Sequence, residues 1–184
     1  MAEYAITAGT RRTVLSASAG TGPYQFTFPI LVETDLAVYK NTTLQTLTSD
    51  YTVTINQSGT GFITLGSSPS GSDIITIVGA RTIERSTDFV TAGDLLANSL
   101  NTELDSQTIF VQQVAEDAAR AISAPVTDPA SIDMTLPAKS DRLGKYLQFN
   151  ITTGNPEVGA NAAEITTLAA VATDIATLAD IEDG

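Results

Sequence analysis

Over residues 1–82, apolar and polar side chains alternate in short runs separated by Gly, Asn, Ser and Pro. This period-two pattern, in sequence rich in Thr and β-branched residues, predicts half-buried strands at 12–15, 24–28, 36–40, 43–46, 51–55, 61–65 and 73–78. Tyr24, Phe26 and Phe28 project to one face with Gln25 and Thr27 on the other, as in a strand that covers a core on one side. Lys40-Asn41-Thr42-Thr43 reads as a hairpin because Asn tolerates positive φ, and residues 57–61 and 67–72 supply further turns. The spacing predicts a sandwich-like domain laid out as a meander.

The period then changes. Across 83–122, Leu100, Leu104, Gln107, Val111, Val114, Ala118 and Ala121 fall on an alternating four-three spacing with one polar member. That is a heptad seam, and Gln107 within it suits a device that sets register and strand number. Thr91, with Asp94 three residues later, predicts a capping box at the start of the helix. Pro125 disfavours helix at Ala124 and sets its end near Ser123. A helix of about 30 residues spans roughly 45 Å, too long to fold back fully over so small a domain. It is expected to run beside copies of itself, with packing of the stripe on its own β-domain as the alternative.

Beyond the helix lies a linker with one predicted strand at 132–136 and another at 145–150, too little for an independent core unless three copies pool it as a small β collar. From Glu164 a ten-residue unit repeats, placing Ile165, Leu168, Val171, Ile175, Leu178 and Ile181 on a helical stripe. A second coiled coil is expected, with a strand-like fibre as the alternative for such Thr-rich sequence. Two repeats without a capping unit read as the start of a longer array. The organisation is therefore 1–82 β-domain, 83–122 joint and trimerisation helix, 123–158 linker and collar, and 159–184 start of a shaft. The fold class is α+β and fibrous, mainly β at the N-terminal end.

Composition narrows the chemistry. Twenty-one acidic against nine basic residues, a formal charge of -12, argue against a nucleic-acid partner. With neither Cys nor His in the chain, thiolate chemistry and the commonest general base and metal ligand are missing. No run is long and apolar enough for a membrane span, and the N-terminus lacks a signal-peptide pattern, so assembly in a cytoplasm is expected. Asp128 and Asp133 lack the spacing of a calcium loop, and no metal or other cofactor is expected. Glu84 and Asp88 are a possible acid pair, but Arg81 and Arg85 lie beside them. An ion-pair network, with Phe89, setting the joint between β-domain and helix is the preferred reading. No catalytic residue is assigned, and the chain is read as a non-enzyme.

Phe26-Thr27-Phe28-Pro29, Leu36-Ala37-Val38-Tyr39-Lys40-Asn41, Asp50-Tyr51-Thr52-Val53, Gly61-Phe62-Ile63-Thr64-Leu65, Gly71-Ser72-Asp73-Ile74-Ile75-Thr76-Ile77 and Arg81-Thr82-Ile83-Glu84-Arg85 stand in that order before the heptad helix. Together they resemble the N-terminal virion-attachment domain of T-seven-like podovirus (short-tailed phage) tail fibres, over about residues 20–122. The resemblance implies a homotrimeric structural protein of the virion tail whose N-terminal domains grip the tail adaptor and nozzle proteins, while a distal region outside this chain meets the host receptor. Loops at Asn41 and Thr42 and at Ser67, Ser70 and Ser72 are the candidate tail contacts. Two alternatives are the anchoring head of a tailspike whose distal part is a polysaccharide depolymerase, and a bacterial adhesin stalk.

Overall fold

The computed structural model describes residues 4–85, 87–91 and 93–182 and, within the last helix, the side chains of residues 163–177. The chain divides into two compact units, Met1–Ala121 and Ile122–Gly184.

In the first unit, seven strands form where the alternation places them: β1 (Arg12–Ser16), β2 (Tyr24–Phe26), β3 (Leu36–Lys40), β4 (Thr43–Leu44), β5 (Tyr51–Ile55), β6 (Gly61–Leu65) and β7 (Ile74–Gly79). They make two antiparallel sheets, β1-β7-β3-β4 and β2-β6-β5. Alternate residues of both sheets enclose one core, with Phe26, Val38, Val53, Ile63, Ile75 and Ile77 all buried. Tyr24, Phe26 and Phe28 share the inner face and Gln25 points out, as the pattern predicts.

The order is not a meander. β7 pairs with both β1 and β3, so the last strand of this unit is inserted between its first and third. Alternation specifies which face of a strand is buried but not its neighbour. β7, with Ile74, Ile75, Ile77 and Val78, gains most from a position paired on both edges, whereas two-residue β4 lies at an edge, where a short strand exposes few unpaired groups.

Within β6, Gly61 faces Ile55, and a β-carbon built on it would stand 1.9 Å from the Thr54 carbonyl oxygen and 3.1 Å from Phe26. Only glycine lets β5 and the aromatic core approach so closely. Gly61→Ala is expected to lower stability by about 1–3 kcal/mol or more, read as an earlier urea midpoint with the same slope. An unchanged midpoint would show that the strands separate freely there.

Helix α1 (Ala97–Ala119) completes the unit. It starts six residues after Thr91, behind Leu96, and no side chain caps it, so the expected Thr91–Asp94 box is not formed. Gly93 instead donates its N–H to the Val90 carbonyl at 3.0 Å, closing a turn. Gly93 and Asp94 are weak helix formers, and an isolated first turn is costly to nucleate without tertiary support. The helix ends at Ala119, short of Ser123.

The second unit contains a single helical turn α2 (Lys139–Arg142), a hairpin of β8 (Lys145–Phe149) and β9 (Pro156–Asn161), and helix α3 (Ala162–Glu182). Residues 132–136 form no strand, contrary to expectation. Ile132 instead packs over Gly154 at the hairpin turn, and the Asp133 N–H donates to Asn155. β9 was not expected, since Pro156-Glu157-Val158-Gly159-Ala160-Asn161 has poor strand propensity; its pairing with β8 holds it. α3 carries the capping box that α1 lacks: Glu164 N–H donates to Asn161 Oδ1 and Asn161 N–H to a Glu164 carboxylate oxygen, both at 2.9 Å. The helical reading of 164–181 thus prevails over the strand-like one.

Candidate assembly surfaces

α1 presents two faces. One is docked on its own β-domain, with Ser106, Ile109 and Phe110 buried. Beside them Gln112 accepts from Arg11 at 3.3 Å and donates to the Thr7 carbonyl at 2.9 Å. The Gln113 side-chain amide meets the Arg81 backbone in both directions, accepting from its N–H at 2.9 Å and donating to its carbonyl at 3.0 Å. At 3.6 residues per turn the heptad stripe falls on the opposite side of the helix wheel. The expectation that α1 is too long to fold back fully over its own domain is therefore qualified: it docks through a second face, on which Ile109 and Phe110 are buried and Gln112 and Gln113 make the hydrogen bonds.

The stripe itself stays uncovered. Leu104 is 56 % exposed, Val111 69 % and Val114 54 %, while Leu100 is half-buried and Gln107 and Ala118 are exposed. Gln107 donates to Glu103 one turn away at 3.1 Å. In the second unit Leu168, Val171 and Ile175 of α3 are also exposed, and the side chains of Leu178 and Ile181 lie outside the described residues. β8 is exposed along its whole length, so Tyr146, Leu147 and Phe149 face water from both sides of a two-stranded ribbon. Such a hairpin is marginal in water without a further layer.

The joint is built differently from the expected Arg81–Glu84–Arg85–Asp88 network. Arg81 pairs with Asp35, 46 residues away, at 2.8 Å, and Asp35 is nearly fully buried. The other Asp35 oxygen accepts from the N–H groups of Leu31 and Val32. Arg85 and Asp88 form a loose exposed pair at 3.5 Å, and among the described residues no ion pair joins Glu84 to either arginine. Phe89 is 37 % exposed. Consecutive charges in an extended link cannot converge as they would on a helix face, and a buried carboxylate bound by two backbone amides is the stronger partner for Arg81.

Arg11 was not anticipated at all. It is 1 % exposed, its guanidinium stacks 4.9 Å from the Phe28 ring centroid, and it supports Gln112 from below the helix. Burial brings its pKa down to about 10, partly opposed by Asp35, so it is charged at neutral pH. Gly79 accommodates it, since a β-carbon there would lie 2.7 Å from Nε. In sequence it is one half of an Arg-Arg pair and carries no signal of burial.

The two candidate loops are joined at one end of the four-stranded sheet. Asn41, with φ of 54°, donates from Nδ2 to Asp73 at 2.9 Å and accepts the Ile74 N–H at 2.9 Å. Asp73 also accepts the Ser70 N–H, and Ser70 and Ser72 share a hydroxyl contact at 3.0 Å. The Asn41 bond, then the Ser70 N–H, hold the Asp73 carboxyl below its ordinary range, with Lys40 adding to the effect. Thr42 and Ser67 are exposed beside this knot. The positive φ at Asn41 matches the hairpin reading; the cross-loop bonds are visible only in three dimensions.

Among the described residues no three side chains of metal-ligating type converge, and no helix is long and apolar enough to cross a membrane. No protein-family model matches the chain, and no curated protein matches it in sequence.

Proposed function

We propose that this chain is the N-terminal part of a homotrimeric, non-enzymatic tail fibre of a short-tailed phage, fastening the fibre to the adaptor and nozzle proteins of the virion tail. The support is the division of labour on α1. One face is occupied by the chain's own β-domain, and on the heptad stripe Leu104, Val111 and Val114 remain exposed. Large apolar side chains set at coiled-coil spacing and left in water call for copies of the same helix. Each one buried contributes on the order of 1.5–3 kcal/mol. The uncovered hairpin and the α3 stripe carry the same requirement into a β collar and a second coiled coil. The β-domain, with its core faces filled, offers the tail its loops, and the Asn41–Asp73 knot is a pre-ordered platform for that contact.

Sedimentation equilibrium of the full chain tests the first half of this reading: three times the 19.2 kDa chain mass is expected, and a stable monomer at tens of micromolar would overturn it. Virions assembled with fibres lacking residues 1–82 test the second half. Fibres that remain on such tails would show that the β-domain is not the anchor.

A further inference from the structure

The first unit has an open cleft of about 790 Å³ beside the N-terminal half of α1. Leu31, Ile55 and Leu104 supply apolar wall, and Gln57, Asn98 and Asn101 supply side-chain amides. Amides both donate and accept, so such a lining matches an extended peptide: apolar side chains against the aliphatic wall, main-chain groups against the amides.

The course of the chain indicates whose peptide this is. Residue 81 is bonded to Gln113, yet α1 begins at Ala97. Residues 82–96 therefore return along the helix from the height of Gln113 to that of Ala97, roughly 24 Å at 1.5 Å per residue. In doing so they pass the height of the cleft, whose helical wall runs from Asn98 to Asp105. Among the described residues of this link none lines it, and Val90, Leu95 and Leu96 are instead 61–70 % exposed. Leu104 belongs both to the cleft wall and to the heptad stripe. A second helix paired in register along that stripe brings its own link to the same height, next to the Leu104 end of the cleft wall.

We propose that the cleft of each chain receives Leu95 and Leu96 of a neighbouring copy. The inference rests on the trimeric reading above and adds to it: the joint is clasped between chains, so a head cannot rotate freely about its own helix.

Because the chain has no cysteine, two engineered pairs report on this directly in the full-length protein, Gln57→Cys with Leu95→Cys and Asn101→Cys with Leu96→Cys. Each is first confirmed as a trimer by sedimentation and then mildly oxidised. A disulfide needs Cα atoms about 4.4–6.8 Å apart, so at least one pair is expected to yield covalent dimers and trimers on a non-reducing denaturing gel, on the order of tenfold above the corresponding single-cysteine variants. Trimers in solution that give only monomer bands for both pairs would overturn the clasp and leave the trimer standing. An intrachain disulfide, seen as a faster-migrating monomer, would also overturn it. Monomers in sedimentation would overturn both.

Discussion

A full-length chain carrying Leu104→Asp is expected to sediment as a monomer at concentrations where the parent is a trimer. Leu104 lies on the exposed stripe between Leu100 and Gln107, is itself 56 % exposed, and is not among the buried residues of α1, which are Ser106, Ile109 and Phe110. In the single chain the substitution exchanges one half-exposed side chain for another, so far-UV circular dichroism and the melting of the β-domain should change little. In the trimer it places three carboxylates around one axis with the solvent removed. Their mutual repulsion and desolvation are added to the loss of about 1.5–3 kcal/mol of apolar burial per chain. The pairing of an intact fold with a lost trimer is the informative result. A variant that stays trimeric would place the seam elsewhere, and one that unfolds would mean that the stripe serves the monomer's own core.

Asp35→Ala is expected to cost about 2–4 kcal/mol of unfolding free energy. This carboxylate accepts from Arg81 and from the amides of Leu31 and Val32. Removing it leaves a largely buried guanidinium without its counter-charge and two backbone donors without an acceptor. The effect stays below that of a fully buried pair because the Arg81 side chain retains 18 % exposure. Since Arg81 also holds Gln113 through its backbone, α1 should loosen with it, seen as faster amide exchange over residues 106–113 relative to β5 and β6. Asp35→Asn keeps an acceptor for the backbone amides and should lose less. A loss under about 1 kcal/mol for the alanine variant would show that Asp35 and Arg81 do not act together as the joint.

The strands were legible because each one's alternation is local. Tyr24, Phe26 and Phe28 announce a buried face whatever lies beneath them, and the runs at 36–40, 51–55 and 61–65 reach their expected bounds. The heptad stripe was legible for the same reason. The start of α1 was misread because a capping signal at Thr91 and Asp94 is only a local preference, and the adjacent Gly93 and Asp94 favour a turn. The docked face of the helix was invisible. Ile109 and Phe110 fall outside the heptad spacing, and Gln112 and Gln113 are polar in sequence and become interface only through Thr7, Arg11 and Arg81, each more than thirty residues away. The joint failed in a similar way: its acidic member lies not beside Arg81 but at Asp35.

By itself, then, the sequence determined what short-range periodicity can encode: which residues turn inward on each strand, that one long helix and one shorter repeat follow, and that the long helix carries an apolar stripe. Tertiary structure alone decided which strand neighbours which, that α1 lies on its own domain by the face of Ile109, Phe110, Gln112 and Gln113, and that the stripe is therefore left free. The physical reason is that burial patterns depend on positions two to four residues apart. Strand order, a buried ion pair and amide contacts depend on groups brought together from distant parts of the chain, where only the assembled core selects among partners of equal local merit.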